Sequence, residues 1–499
     1  MAGPPRRRVS LCLIVRNEED FLEGCLASAA DACDEIIVVD TGSSDDTVGI
    51  AEAAGARVVH FPWVDDFAAA RNASIDAATG DFVLVLDADE RLAKGSAQHI
   101  RRLVEAEAWD GPTTIYLPLI ENRDKEGNAL GADHMPRLWR RRPELRFTGR
   151  VHEQLGCGVA GLRRCYEDAF HVIHYGYDPD LQVQRGKRAR NVTLLRAELA
   201  ERPDDPSLHY YLAKEHYADG DDAVALAGFE RVIADGTLLN HRLSSMVFVV
   251  ECLRALQRPR EAMDRGLAWL KKITDYSELW FVTGQAAQDA GLPIRAEGCF
   301  RFATQAPAGL TATAFRDPAI QQWRARLEQA RALAAMELPE RSVAVYREVR
   351  DALPPQERMR ADLEEAALDL DLGDEMRAWA LLEPLLETAP ADATPLLLRF
   401  VQMYVDLFGL EKAYEVLRNC LMQYPGLLHQ LPAVGAAVDL AEAVGDEEHL
   451  IEWLQICMHL HTPHAEHALR LARLLADRGD ARGAREALAR ARALLREGG

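Results

Sequence analysis

The chain has 499 residues and a formal net charge of −21, with 48% hydrophobic and 27% charged residues. This length exceeds what one compact core normally holds, so we expect more than one domain. The composition is that of an ordinary globular protein. The strong negative charge disfavours a nucleic-acid partner and an anionic membrane surface, because both would repel it.

The nine cysteines are scattered and odd in number, and none of them forms a Cys-x-x-Cys pair. This usage is typical of reduced thiols in the cytoplasm rather than of a disulfide framework or a structural zinc site. The apolar run from Leu11 to Val15 is too short for a signal-peptide core, and no run approaches the roughly 18 apolar residues of a membrane span. We therefore expect a cytoplasmic protein without an integral membrane segment.

Residues 1–180 have the pattern of an α/β domain. Short apolar runs alternate with amphipathic stretches, which predicts a parallel, right-handed, doubly wound sheet. The predicted strands are 9–15, 35–40, 57–63 and 81–87, and the predicted helices are about 18–30, 45–54 and 66–78. Less regular strand patterns at 113–121, 134–141 and 169–175 are expected to extend or flank the sheet.

After about residue 205 the strand patterns stop and the chain becomes rich in Ala and Leu; residues 181–205 are expected to be a helical connection. Turns between helices recur at intervals of roughly 34 to 37 residues, with one longer interval, and this is the tetratricopeptide period. The predicted turn residues are Gly220, Gln257, Gly291, Glu337, Gly373, Gly409, Gly445 and Gly479. We predict a tetratricopeptide-like α-solenoid over residues 206–499.

Polar residues follow three predicted strands at the point where each strand ends. Ligands of open α/β sheets bind at the carboxyl ends of the strands, and paired carboxylates suit Mg²⁺ or Mn²⁺ bound to substrate phosphates. The three groups are Asn17 and Glu18 after Val15, Asp40 with Gly42 and Ser43, and Asp87-Ala88-Asp89. Each group alone would also fit a helix cap or a solvated acidic turn, but together they predict a nucleotide site.

Four motifs carry a resemblance to a known family. They are Leu13-Ile-Val-Arg-Asn-Glu-Glu, Val39-Asp-Thr-Gly-Ser-Ser-Asp, Phe61-Pro-Trp-Val-Asp-Asp-Phe-Ala-Ala-Ala-Arg-Asn and Leu86-Asp-Ala-Asp-Glu. Together they resemble glycosyltransferase family 2, and more closely its subgroup fused to tetratricopeptide repeats, which includes sublancin-type peptide S-glycosyltransferases. The resemblance covers about residues 9–235.

The resemblance implies an A-type nucleotide-sugar (Rossmann-like) fold and inverting transfer from a UDP-sugar with Mg²⁺ or Mn²⁺. By motif position, Asp40 and Arg71 would contact the nucleoside and Asp87 and Asp89 would hold ribose and metal. The other expected members of the nucleotide-sugar pocket are Val15, Asn17, Glu18, Gly42, Ser43 and Ala88. The chain has Thr41 where many family members have a second Asp.

Further candidate residues lie between 130 and 180. Residues 137–150 hold six arginines against one acid, and fixed cations stabilise a departing diphosphate; Arg137 and Arg150 are our candidates, although a basic solvated hairpin would look the same. Glu153 is the candidate general base for the acceptor proton, and an edge-strand Glu paired with an arginine is the alternative.

We expect a histidine to complete the metal site of Asp87 and Asp89. His174 lies near the end of a predicted strand, where related folds often place a histidine ligand, and it would join Asp87 and Asp89. His152 is the alternative. A hydrogen-bonded core histidine would explain His174 equally well.

Three functions are compatible with these features. The favoured one is transfer of a sugar to a Cys, Ser or Thr side chain of a peptide or protein that the repeats bind, since solenoids form extended concave surfaces. The second is transfer to a lipid-linked or cell-envelope saccharide. The third is a non-enzymatic scaffold with a decayed transferase domain, which the intact motifs disfavour. The repeats are also compatible with a homo-oligomer.

Overall fold

The computed structural model describes residues 6–108, 111–123, 129–156, 158–175, 186–307, 317–460 and 465–497. The chain forms two compact units. The first consists of Met1–Ala290 and Ala306–Pro318, and the second of Gly291–Gln305 and Ala319–Gly499.

A nine-stranded mixed sheet is the core of the described part of the first unit. Its strands are β1 Val9–Val15, β2 Glu35–Asp40, β3 Arg57–His60, β4 Phe82–Val85, β5 Glu90–Leu92, β6 Thr114–Arg123, β7 Ala129–His134, β8 Leu138–Arg140 and β11 Arg163–His174. Their order is β3-β2-β1-β4-β8-β6-β11-β5, with β7 beside β6. Separately, β9 Phe147–Thr148 and β10 Gln154–Leu155 form a two-stranded hairpin; residues 147–155 are called the Glu153 hairpin below.

The four strands β1 to β4 are parallel, as the sequence predicts. The helices among and after them are α1 Leu22–Ala29, α2 Thr47–Ala53, α3 Phe67–Ala77 and α4 Ser96–Ala106. The prediction of a parallel sheet does not hold further on, because β8 is antiparallel to β4 and β6, and β5 is antiparallel to β11. The sheet therefore combines a parallel half with a mixed extension, in which β6 and β11 are parallel to each other.

Apolar side chains cover both faces of the parallel half. One cluster joins β1 and β4 to α1 and α4 through residues such as Leu13 and Leu22. The other joins the opposite face to α3 and the Glu153 hairpin through residues such as Val83 and Phe147. Burial on both faces explains why these strands read as continuous apolar runs in the sequence.

Helices follow the sheet. In the first unit they are α5 Lys187–Glu201, α6 Pro206–Ala218, α7 Asp222–Asp235, α8 Leu239–Ala255, α9 Pro259–Leu270 and α10 Ser277–Asp289. In the second unit they are α11 Pro293–Gln305, α12 Ala325–Ala335, α13 Pro339–Val349, α14 Pro355–Asp371, α15 Glu375–Thr388, α16 Pro390–Phe408, α17 Leu410–Gln423, α18 Leu431–Val444, α19 Glu447–Leu460, α20 Ala465–Asp477 and α21 Ala481–Glu497. Within the described ranges, none of these helices is both long enough and apolar enough to cross a bilayer.

The turns of the helical repeats confirm the predicted repeat phase. All eight turn residues named from the sequence have a positive φ angle. At most of these positions the preceding helix ends in a common way. The named residue has left-handed backbone, and the amide of the residue after it donates to a carbonyl in the last turn of the helix. Asp221 N to His216 O (2.9 Å) and Asp446 N to Ala441 O (2.9 Å) are examples.

Candidate active site

Asp87 is the centre of the site. β4 ends at Val85 and delivers Asp87 to the carboxyl edge of the parallel strands. Arg71 Nη2 donates to its Oδ1 at 2.8 Å, and Arg137 Nη2 donates to its Oδ2 at 3.1 Å. Burial favours the neutral acid, but these two guanidinium groups hold the pKa of Asp87 well below its usual range. Asp87 is therefore an ionised carboxylate with a guanidinium on each oxygen.

Glu90 belongs to the same cluster, although we did not single it out from the sequence. Its side chain is 2% exposed and accepts hydrogen bonds from Arg137 Nε at 3.0 Å and Arg137 Nη2 at 2.6 Å. It also accepts from the backbone amide of Asp87 at 3.0 Å. Its position directly after Asp87-Ala88-Asp89 is the sequence feature that could have indicated its place in the site. Arg137, expected at the diphosphate, is held by these two carboxylates.

Arg71 joins Asp87 to the candidate base. Its Nε donates to Glu153 Oε1 while its Nη2 donates to Asp87. Its Nη1 is buried and has no hydrogen-bond partner among the described residues. The guanidinium also lies 5.6 Å from the centroid of the Phe147 ring. The structure thus brings Arg71, Asp87, Arg137 and Glu153 together.

The loops after β1 and β2 form the expected nucleoside side of the edge. Val15 pairs in register with Asp40. Asp40 Oδ1 accepts from Ser43 N at 2.9 Å, and Asn17 N donates to Ser43 Oγ at 3.0 Å. Although burial opposes ionisation, hydrogen bonds from Ser43 and His60 lower the pKa of Asp40. The ionised carboxylate of Asp40, a hydrogen-bond acceptor, therefore lies at this edge.

The remaining pocket residues frame these loops. Gly42 has φ +108°, and a Cβ there would meet nothing within 4 Å, so the backbone is open to a ligand. Glu18 N donates to Thr47 Oγ1 at 2.8 Å, which ties the first loop to α2. Ala88 is buried and its carbonyl accepts from Arg91 Nη1 at 2.9 Å. The backbone of Glu18 and Ala88 thus holds these loops in place.

Asp89 and His174 are neighbours at the same edge. Strand β5 pairs with β11 so that His174 lies in register with Glu90, and His174 Nε2 is 3.5 Å from Asp89 Oδ2. His174 Nδ1 lies 2.8 Å from Asn122 Oδ1, so an N–H there leaves Nε2 facing Asp89. Burial lowers the pKa of His174, but the hydrogen bond and charge of Asp89 raise it above its usual range.

This pair fits a divalent cation. A metal-binding imidazole is commonly fixed by a hydrogen bond from its other ring nitrogen, and Asn122 Oδ1 is placed to accept one from His174 Nδ1. No group of three or more His, Cys, Asp or Glu side chains in the described ranges is arranged to hold a metal ion. Mg²⁺ usually takes one or two carboxylates together with substrate phosphates and water.

Two predicted residues are not at this edge. Arg150 Nη2 pairs with Glu201 of α5 at 2.6 Å, so the structure directs its charge to the helical connection. His152 stacks on Tyr211 of α6, with ring centroids 4.2 Å apart, and its Nε2 lies 3.4 Å from Glu215 Oε1 of the same helix. His174 and not His152 is therefore the histidine beside Asp89. The metal role expected for Asp87 is likewise not supported, since both its oxygens face arginines.

Comparisons with known proteins identify a family and relatives of this chain. A model of glycosyl transferase family 2 matches residues 10–170. A TPR repeat-containing protein of Synechococcus elongatus is 34% identical over 291 residues, which cover 54% of this chain and 70% of that protein. The SPbeta prophage-derived glycosyltransferase SunS of Bacillus subtilis is 27% identical over 251 residues, 49% of this chain and 58% of that protein.

A solved structure is also similar. It is glucosyl-3-phosphoglycerate synthase from Mycobacterium tuberculosis in complex with Mn²⁺, UDP-glucose and phosphoglyceric acid, 29% identical with a TM-score of 0.19. The match covers 22% of this chain and 44% of that one. From the family model and the cyanobacterial relative, we conclude that this chain belongs to glycosyltransferase family 2, with tetratricopeptide-like repeats after its transferase domain.

Proposed function

We propose that this glycosyltransferase moves a sugar from a UDP-sugar to a Cys, Ser or Thr side chain of a peptide or protein, with inversion at the anomeric carbon. The observation that carries the proposal is the common edge of β1, β2 and β4, where Asp40, Asp87 and Asp89 follow neighbouring parallel strands. Ligands of open α/β sheets bind at this place. The eight free cysteines among the described residues support action in the cytoplasm.

In this proposal the donor lies across the edge. Asp40 accepts hydrogen bonds from the nucleoside. The buried Nη1 of Arg71 donates a hydrogen bond to the UDP-sugar. Asp89 and His174 would hold Mg²⁺ or Mn²⁺ together with the diphosphate oxygens. The cation would supply positive charge that stabilises the diphosphate as it leaves.

Glu153 takes the acceptor proton in the proposed reaction. Because Arg71 occupies Oε1, the proton from the acceptor O–H or S–H goes to Oε2. The acceptor atom forms a bond to the anomeric carbon, and the bond from that carbon to the diphosphate oxygen breaks, so UDP leaves with the electron pair. The Arg71 ion pair orients the carboxylate for this step.

The repeats are the proposed acceptor platform. In the second unit, Trp379 of α15 contacts Phe400 of α16, and Phe400, Tyr404 and Phe408 follow one another along α16 with ring centroids about 5 Å apart. Phe408 is 56% exposed and the neighbouring Leu407 is 59% exposed. Exposed apolar groups on a solenoid suit an extended peptide.

The test is intact-mass analysis of the full chain with a panel of UDP-sugars, Mn²⁺ and peptides that contain Cys, Ser or Thr. We expect wild type to add one sugar, and Glu153→Gln to bind donor normally but transfer at least about 10²-fold more slowly. The control is Glu144→Gln, an exposed acid on the same basic segment, which should transfer normally. Full activity in Glu153→Gln would refute the base assignment. Transfer to lipid-linked saccharides but to no peptide would refute the acceptor class.

A further inference from the structure

The Glu153 hairpin is held on one side by α3. Asn72 of that helix makes two hydrogen bonds with the backbone of Phe147. Its Nδ2 donates to the Phe147 carbonyl, and its Oδ1 accepts from the Phe147 backbone N–H, both at 2.9 Å. Phe67 N donates to Arg150 O at 2.8 Å, and Arg71 pairs with Glu153. This side of the hairpin is thus fastened to the transferase domain.

The other side is held by α5 and α6, which precede and begin the helical repeats. Glu198 of α5 accepts from the Arg150 amide at 2.9 Å through Oε2. Val151 is buried in an apolar cluster with Leu194 and Leu195 of α5 and Leu208 of α6. The hairpin therefore lies between a helix of the sheet domain and the first helices that follow it.

His152 makes the contact with α6. Its ring lies parallel to that of Tyr211, with an interplanar angle of 10°, and its Nε2 is 3.4 Å from Glu215 Oε1. Asn191 Nδ2 donates to the same Oε1 at 2.9 Å. Although burial favours the neutral acid, the hydrogen bonds from His152 and Asn191 lower the pKa of Glu215.

The backbone of His152 is in the left-handed region, with φ 54°. Residues other than glycine adopt this conformation uncommonly, although His is among the residues enriched in it, and such residues are often found at functional sites. Here His152 contacts α6 while the next residue, Glu153, reaches Arg71 of α3. Removing the His152 side chain would remove the stacking on Tyr211 and the contact with Glu215, and would leave the other contacts of the hairpin in place.

We propose that His152 is a positioning residue: it fastens the hairpin to α6, so that the first repeat helix sets the place of the Glu153 carboxylate. The proposal rests on the proposed function, in which Glu153 is the base. It makes α6 a part of the active site's support rather than only the start of an acceptor-binding array.

The first test measures hydrogen exchange of the amides of residues 147–155 in the full chain and needs no substrate. His152→Ala should exchange about tenfold faster there than wild type, because the ring and its hydrogen bond are lost. His152→Gln should restore part of the protection, since its amide nitrogen matches the position of the His152 Nε2 and can donate to Glu215. His209→Ala is the matched control on α6, because the His209 ring contacts the Pro203 carbonyl.

The second test is a double-mutant cycle in the transfer assay. His152→Ala should lower kcat about 10- to 100-fold with donor KM nearly unchanged, and should cause little further loss in the Glu153→Gln background. Losses that multiply would show that His152 acts independently of Glu153 and would overturn the proposal, as would wild-type exchange and kcat in His152→Ala. If wild type transfers to no acceptor, the proposed function fails, while the exchange of residues 147–155 still decides whether His152 holds the hairpin.

Discussion

At the scale of single residues, Asp87 shares a buried cluster with two guanidinium groups and a second carboxylate. Arg137 and Glu90 have 6% and 2% of their side chains exposed. Taking such charges out of water is costly, and their mutual attraction offsets that cost only while both partners are present. The cluster is therefore more sensitive to loss of one member than the surface ion pairs of the same domain.

Removing Arg137 should destabilise the fold strongly. Arg137→Ala leaves the buried Glu90 without a cation, which costs about 3–5 kcal/mol of unfolding free energy. Arg142→Ala is the control, since Arg142 and Glu144 are 37% and 49% exposed, and exposed pairs contribute about 0–1 kcal/mol. Urea unfolding would compare the two. Similar small losses in both variants would show that Glu90 is compensated in another way.

The lowered pKa of Asp87 gives the stability a defined pH dependence. Its folded-state pKa lies below the unfolded value of about 3.9, so its ionised form stabilises the fold above that pH, and the contribution is lost as the pH falls towards the folded-state pKa. The difference in unfolding free energy between wild type and Asp87→Asn should be largest above about pH 5 and shrink towards pH 3. A difference independent of pH would contradict the assignment.

The site was only partly predictable at this scale. Asp40, Asp87 and Asp89 follow strands with clear apolar runs, so their shared edge could be read from the sequence. The packing of His152 could not, because it depends on a contact with Tyr211 of α6. The proximity of His174 to Asp89 was expected only from related folds, because it depends on β5 lying beside β11, a contact between segments far apart in the chain that no local pattern reports.

At the scale of elements, strand length decides what the sequence reveals. β1 and β2 have the predicted bounds, 9–15 and 35–40. β9 and β10 have two residues each, too few to show alternation, and the hairpin that carries Glu153 was not predicted. The helical turns were predictable because most of them have the same backbone ending, with glycine at six of the eight positions.

Two of these turns have a residue that does not suit them. Gln257 and Glu337 adopt φ 59° and 57°, where the other six turns have glycine. Left-handed backbone at a residue with a Cβ destabilises the folded state by roughly 1–2 kcal/mol. Replacement by glycine removes this strain, and the greater conformational freedom of glycine in the unfolded chain cancels only part of the gain. Both side chains are exposed, so little else is lost by removing them.

We expect Gln257→Gly and Glu337→Gly each to raise the unfolding free energy by about 0.5 kcal/mol. The control is Gly445→Ala, because a Cβ at Gly445 meets nothing within 4 Å and only the backbone is affected. That variant should be destabilised by about 1 kcal/mol. Thermal unfolding of the three variants would measure these changes in stability. A Tm of Glu337→Gly below that of wild type would refute the claim that left-handed backbone at Glu337 is unfavourable.

At the scale of the whole molecule, the boundary between transferase and repeats is less sharp than the change in sequence pattern. The sequence predicts domains of 1–180 and 206–499, whereas the contacts keep α5 to α10 in the unit of the sheet. Helices α5 and α6 have a local reason to stay there, since they hold the Glu153 hairpin. We therefore propose that a functional transferase includes the first repeat helices.

The central claim is a cation-dependent nucleotide site at the edge formed by β1, β2 and β4. Calorimetric titration of the full chain with UDP, with and without Mn²⁺, tests it most directly. We expect binding that requires Mn²⁺ and that weakens at least about tenfold in Asp89→Ala and in His174→Ala, whereas His134→Ala, whose ring pairs with Asp168, should bind as wild type does. UDP binding of equal strength without Mn²⁺, or unchanged in Asp89→Ala, would contradict the account.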